Sequence, residues 1–291
     1  MSFSEKHYFG LNSQGLHRIV YSDWGPPSAP PVICVHGLTG NGHDFDFLAK
    51  ALVEKGYRVI AVDLPGRGRS DFLPEPLDYN HTQYCQDLIA LLAHLGVSTP
   101  GSVDWLGVSL GGLLGIRLAG MENSPIRRLI INDVGPVVPQ PALDFIYKVI
   151  AQTYHFDTIQ ALEKRMRETR GLSWGPVTDQ QWKHMAEHNA RALDDGQITY
   201  SYDPEIAVVF EHQPLGGVDL WPYWDRIFCP VLTIQGAKSL LLTNVIIEEM
   251  NGRGPGKTMD LVIFEDCGHV PSLMAPEQIK VIEEWLINTK I

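Results

Sequence analysis

One short stretch constrains this chain more than any other. Val103–Leu106 is a short run of strand character that feeds straight into Gly107-Val108-Ser109-Leu110-Gly111-Gly112, and Leu113–Ala119 continues as an apolar helix. A serine at a tight strand-to-helix turn projects its hydroxyl above a sheet, and flanking glycines let neighbouring backbone pass closely. The Leu110 amide then lies at a helix N-terminus, where an anion is favoured. The five-residue pattern alone is weak. Its strand-before, helix-after context gives it force.

The rest of the chain has the same rhythm. Lys6–Tyr21 reads as two strands around an Asn12–Gly15 turn, and Val32–Val35, Arg58–Val62, Arg128–Asn132, Val231–Gln235 and Leu261–Phe264 read as further strands. Helical stripes fall between them, at Phe45–Leu52, Tyr84–Leu95, Val245–Asn251 and Pro276–Asn288. Such alternation argues for an α/β fold. It breaks between about Gly135 and Trp221, where helices are predicted near Ala142–Thr153, Ile159–Arg170 and Asp179–Leu193 without intervening apolar strands. An insertion of about 85 residues is too long for an ordinary loop. The expected organisation is a core of residues 1–135 and 221–291, with a helical cap, a candidate lid, at 136–220.

At 291 residues the chain has room for one large domain carrying such an insertion. Acids outnumber bases 34 to 23, a net charge of −11, which argues against a nucleic-acid or anionic-membrane partner. The four cysteines, Cys34, Cys85, Cys229 and Cys267, lack C-x-x-C spacing and read as small buried thiols in a reducing compartment. The opening MSFSEKHYFG has no apolar run after a basic segment, and no stretch approaches the roughly 20 apolar residues of a membrane span. A cytoplasmic protein is expected, with its oligomeric state left open.

Other residues with chemical potential sit on loops after strands. His36-Gly37-Leu38-Thr39-Gly40 can aim the Leu38 amide into the Ser109 site as a second oxyanion donor beside that of Leu110, with His36 supporting the turn. Among eleven histidines, His269 in Cys267-Gly268-His269-Val270-Pro271 follows the last strand and can face Ser109 as general base. His184, His188 and His212 lie in the insertion. The four-residue spacing of the first two could suggest a metal pair, but no H-E-x-x-H is present and no metal is expected. Asp63-Leu64-Pro65-Gly66-Arg67-Gly68-Arg69-Ser70 reads as a turn-rich loop tied by Asp63. It carries no nucleotide-binding pattern, so no cofactor is expected. Trp105 reads as core. Trp174, Trp182, Phe145, Tyr147 and Phe210 read as packing of the insertion, or as the wall of an acyl pocket.

The His36-Gly37 loop, Asp63-x-x-Gly66-x-Gly68-x-Ser70, the Ser109 elbow, Asn132-Asp133-Val134-Gly135-Pro136 and Gly268-His269 together resemble an α/β-hydrolase of the esterase/lipase type. Tyr202-Asp203-Pro204 and Asp219-Leu220-Trp221-Pro222 narrow the likeness to a bacterial subfamily with a helical lid. The resemblance covers nearly the whole chain. It implies a mostly parallel eight-stranded sheet flanked by helices, a cap inserted after strand six, and a Ser-His-acid triad. This fold hosts many reactions, so the likeness does not name a substrate.

One departure from the family's pattern matters. The triad acid usually follows the strand matching Val231–Gln235, in a segment resembling G-A-x-S-D-L-L. Here the segment is Gly236-Ala237-Lys238-Ser239-Leu240-Leu241-Leu242, and leucine cannot hold an imidazole. Asp133, after the strand that follows the nucleophile, is one replacement, and some haloalkane dehalogenases are similar in placing their acid there. Ser239 acting without charge is another, and an impaired, ligand-binding protein is a third. Asp133 could equally be a turn residue at the entry to the insertion. The expected activity is hydrolysis of small or medium carboxylic esters by Ser109 and His269, with Asp133 as orienting acid. A C–C bond hydrolase or lyase is the alternative enzyme, and it would want a basic clamp from residues such as Arg117, Arg127 or Arg128.

Overall fold

The computed structural model describes residues 3–212, 218–254 and 259–290. The chain opens with β1 (Ser4–Asn12) and β2 (Gly15–Trp24), paired antiparallel around a turn in which Asn12 Oδ1 accepts from the Gln14 and Gly15 amides. Then come β3 (Pro31–Val35), α1 (Asp46–Glu54), β4 (Arg58–Val62), α2 (His81–His94), β5 (Val103–Val108), α3 (Leu110–Ala119) and β6 (Ile126–Asn132). The inserted segment holds β7 (Val137–Val138), α4 (Gln140–Ile150), α5 (Ile159–Arg170), α6 (Asp179–Asn189), β8 (Ala190–Ala192), β9 (Ile198–Tyr200), α7 (Val208–His212) and β10 (Val218–Asp219). The chain returns through α8 (Trp221–Trp224), β11 (Val231–Gly236), α9 (Asn244–Gly252), β12 (Met259–Phe264) and α10 (Pro276–Asn288).

Eight strands form one sheet in the order β1-β2-β4-β3-β5-β6-β11-β12, parallel from β4 onward. The central strands are buried on both faces, which is why they read as continuous apolar runs. Alternate residues divide between two cores. Ile33, Val35, Ile60 and Val62 face Leu88, Leu91 and Leu114 of α2 and α3. Val32, Cys34, Val59 and Ala61 face Leu48 and Leu52 of α1 and Ile282 and Leu286 of α10. Cys34, Cys85 and Cys267 are buried, Cys229 is half-buried, and none of the four is in a disulfide. No helix among the described residues is long and apolar enough to cross a membrane.

The inserted segment departs from the all-helical expectation. β7 pairs antiparallel with β10 where the segment leaves and rejoins the core, and β8 pairs with β9. The helix predicted to Leu193 ends at Asn189 because Ala190 turns extended and Ala190–Ala192 pair across a turn closed by Gly196, at φ +83. α4 likewise stops at Ile150 rather than Thr153. Strands of two or three residues leave no period to read.

Candidate active site

Ser109 stands between β5 and α3 at φ 49, ψ −109, a conformation that a non-glycine residue holds only when its surroundings fix it. Its amide donates to the Asn132 carbonyl at the end of β6, and its carbonyl accepts from the Gly112 and Leu113 amides in the first turn of α3. The flanking glycines are steric necessities. A Cβ on Gly107 would stand 2.1 Å from the Gly111 carbonyl oxygen, and one on Gly111 would stand 2.0 Å from that of Val35. Trp105, fully buried, donates from Nε1 to the Gly111 carbonyl. Gly111→Ala must push α3 off β3. It is expected to cost about 3 kcal/mol, read as a shift in denaturation midpoint.

Around the serine the structure gathers one hydrogen-bonded chain. His269 Nε2 lies 3.1 Å from Ser109 Oγ, and His269 Nδ1 lies 2.7 Å from Asp133 Oδ2. The other oxygen of Asp133 accepts from the Gly236 amide at 2.9 Å. An ionised Asp133 sets the tautomer: Nδ1–H donates to the carboxylate, which leaves Nε2 to accept from the serine hydroxyl. Asp133 is fully buried, at φ 58, with its amide held by the Ile234 carbonyl. Ser239 is occupied elsewhere, its Oγ accepting from the Leu241 and Leu242 amides, while Leu240 is 79% exposed. Of the two residues that could replace the usual acid, Asp133 is the one the fold brings to His269.

Leu38 and Leu110 both border the pocket beside Ser109. The Leu110 amide opens α3, where it has no partner within the helix. The Leu38 turn is held from below by two residues. His36, fully buried, donates from Nδ1 to the Gly37 carbonyl and accepts the Leu64 amide on Nε2. Arg67, also fully buried, donates from Nε to the Leu38 carbonyl and from Nη1 to the Pro65 carbonyl and the Tyr84 hydroxyl. Arg67 was legible only as a loop residue, because nothing in its spacing shows that a charged side chain is buried there. Asp63 ties the loop as expected, accepting from the Gly42 and Arg69 amides, and Ser70 Oγ donates to its carbonyl.

Burial pushes the His36 imidazole down to about 4, and the Arg67 cation adds to the effect. The unfolded chain therefore binds more protons at this site between about pH 4 and 6.5. Stability from this group is complete above 6.5 and is lost as pH falls toward 4, by up to about 3 kcal/mol. Denaturant titrations across that window are expected to show a shallower pH dependence for His36→Asn than for wild type.

The histidine loop is anchored partly by the inserted segment. The Gly268 amide donates to the Ser173 carbonyl, the Ser272 amide to that of Trp174, and Asn132 Nδ2 to that of Pro271. Gln278 of α10 accepts the Leu273 amide and donates to the Trp174 carbonyl. These anchors were not anticipated, since they join residues far apart in the chain.

The pocket above Ser109 encloses about 620 Å³ of non-atom space, part of it open to solvent. Leu113, Val134, Leu143, Ile146, Val209 and Phe210 make much of its wall, and no Lys or Arg among the described residues lines it. Of the aromatic candidates only Phe210 is there. Trp174 and Trp182 stack on each other at 5.0 Å, Phe145 is exposed, and Tyr147 donates to Glu211. Arg127 and Arg128 are bound to Asp104 and Arg117 donates to Thr82, so none of them supplies a clamp. His184 and His188 lie outside this pocket, and the His212 side chain lies outside the described residues.

Comparison with known proteins agrees with this architecture. The model of the alpha/beta hydrolase family matches residues 32–280. A 3-hydroxybutyrate-oligomer hydrolase of Cupriavidus necator is 38% identical, over 94% of each chain. An esterase of Mycobacterium tuberculosis, Rv0045c, is 28% identical over 92% of this chain and 85% of its own. Among solved structures, an alpha/beta hydrolase from Novosphingobium aromaticivorans superposes with a TM-score of 0.85 at 34% identity, covering 99% of this chain and 100% of its own.

Proposed function

This chain belongs to the alpha/beta hydrolase family, and on that premise we propose that it cleaves carboxylic esters of small or medium acyl groups through Ser109, His269 and Asp133. The observation that carries this reading is the unbroken chain Ser109 Oγ–His269–Asp133 opening on an apolar pocket. His269 Nε2 takes the serine proton as Oγ attacks the ester carbonyl. The Leu38 and Leu110 amides receive the tetrahedral oxyanion. The same imidazole, now charged and steadied by the Asp133 carboxylate, protonates the leaving alkoxide. Water then enters on the opposite course, with His269 again the base, and releases the acid. Residues 136–220 act as the cap over the acyl site.

Linear oligoesters of short hydroxy acids are the substrate class we favour. The Cupriavidus necator relative hydrolyses 3-hydroxybutyrate oligomers by name, and its likeness spans nearly all of both chains. An apolar pocket with no Lys or Arg among its described lining residues suits a neutral acyl portion, and it does not suit the carboxylate substrates of a C–C hydrolase. The test is hydrolysis of p-nitrophenyl acetate and butyrate beside the dimer and trimer of 3-hydroxybutyrate, with fluorophosphonate labelling of the nucleophile. Labelling and turnover of at least one ester series are expected. Absence of both overturns the reading, and turnover of nitrophenyl esters alone overturns only the oligoester assignment.

A further inference from the structure

A second group of side chains with ligand chemistry lies at the seam between the inserted segment and the core. The oxyanion loop runs on into Asn41 and a 3-10 turn, Gly42–Phe45, that leads into α1. This places His43 and Asp46 side by side, 94% and 97% buried, with His43 Nδ1 3.0 Å from Asp46 Oδ2. From the other side, α6 presents His184 and His188, one turn apart on one face. His184 Nε2 is 3.3 Å from the same Asp46 oxygen. The His188 ring stacks on His43 at 3.8 Å and stands 4.4 Å from that of His184.

Ligand atoms of His43, Asp46 and His188 all lie within 4.8 Å of one another. A tetrahedral zinc ion with bonds of about 2.1 Å spaces its ligand atoms about 3.4 Å apart. Two of the spacings around Asp46, to His43 Nδ1 and to His184 Nε2, are already that short. An independent observation points the same way: Asp46 Oδ1 is buried without a hydrogen-bond partner. A buried carboxylate oxygen left in that state is costly, and a cation beside it removes the cost. A supporting shell is also present. Asn41 accepts the His43 amide on Oδ1 and donates from Nδ2 to the His188 carbonyl, tying both histidine backbones to one side chain.

We propose that His43, Asp46 and His188, with His184 as fourth donor, bind a divalent transition-metal ion of the zinc class, which staples the inserted segment to the core. Three imidazoles and one carboxylate suit such an ion and not magnesium or calcium, which take oxygen ligands. The expectation of no metal at His184 and His188 rested on spacing within the insertion. The missing donors lie about 140 positions upstream, where a sequence motif cannot reach them. The proposal does not depend on the ester reading.

The test uses the full chain freed of metal with a chelator. Calorimetric titration with Zn²⁺ and the visible spectrum on adding Co²⁺ report binding, and thermal melting reports the staple. One ion per chain, a raised Tm with Zn²⁺ and no change with Mg²⁺ are expected. His43→Gln and His188→Gln are each expected to weaken Zn²⁺ binding tenfold or more, whereas His155→Gln, on an exposed histidine outside the cluster, should leave it unchanged. The half-buried His188 guards against a variant that fails to fold. No saturable binding by wild type overturns the proposal. So does binding that survives both substitutions, because the ion is then held elsewhere.

Discussion

Replacing Ser109 with alanine is expected to lower kcat for any accepted ester by about 10⁶-fold, with substrate binding and Tm close to wild type. The hydroxyl makes one contact of note, to His269, and the elbow is held by backbone bonds and the packing of Gly107 and Gly111. Removing Oγ therefore takes away the nucleophile and leaves the turn in place. Alanine also relieves no strain at φ 49, since it keeps the Cβ. Stopped-flow acylation with a p-nitrophenyl ester checks this directly. A burst that persists in Ser109→Ala shows that another group attacks.

Asp133→Asn should lower kcat by about 10⁴-fold and KM by little. An amide in place of the carboxylate can still meet the imidazole, but it can present an N–H to Nδ1. That favours the tautomer with the proton on Nε2, which cannot accept from Ser109. It also leaves the imidazolium of the transition state without an opposite charge. Glutamine-sized changes are uninformative here, because Asp133 is fully buried and also accepts the Gly236 amide. Leu240→Asp is the reciprocal trial. With Asp133 already on Nδ1, the rate should stay within about twofold, and a large gain would mean that the native acid is idle.

The fold was legible because its signals are periodic and local. Continuous apolar runs announced the buried strands, and Pro276–Asn288 was read to the residue. Ser109 and His269 were legible because each follows a strand in a turn-forming context. Asp133 was visible only as a candidate, since Asn132-Asp133-Val134-Gly135-Pro136 reads equally well as a turn. Its partners in the fold, the Gly236 amide and the His269 ring, both come from more than 100 residues away. Arg67 beneath Leu38, and Ser173 and Trp174 beneath the histidine loop, escaped for the same reason. Burial and long-range backbone pairing have no signature in spacing. The short strands β7 to β10 were missed because two or three residues cannot establish a period.

The position of the proposed acid carries a consequence for how such a protein can be altered. Asp133 lies three residues before the insertion begins, on the connection that leaves β6, while the segment after β11 has a Ser239-capped turn with an exposed leucine where the family usually has its acid. One recombination crossover within β6 and another near Trp221 would exchange the acid and the pocket wall together as a cassette. The exposed turn at 237–240, relieved on that reading of its usual chemical duty, is then the place on the active-site rim where insertions or fusions can be grafted at least cost to turnover, provided that Leu241 in the pocket wall and the buried Leu242 keep their places.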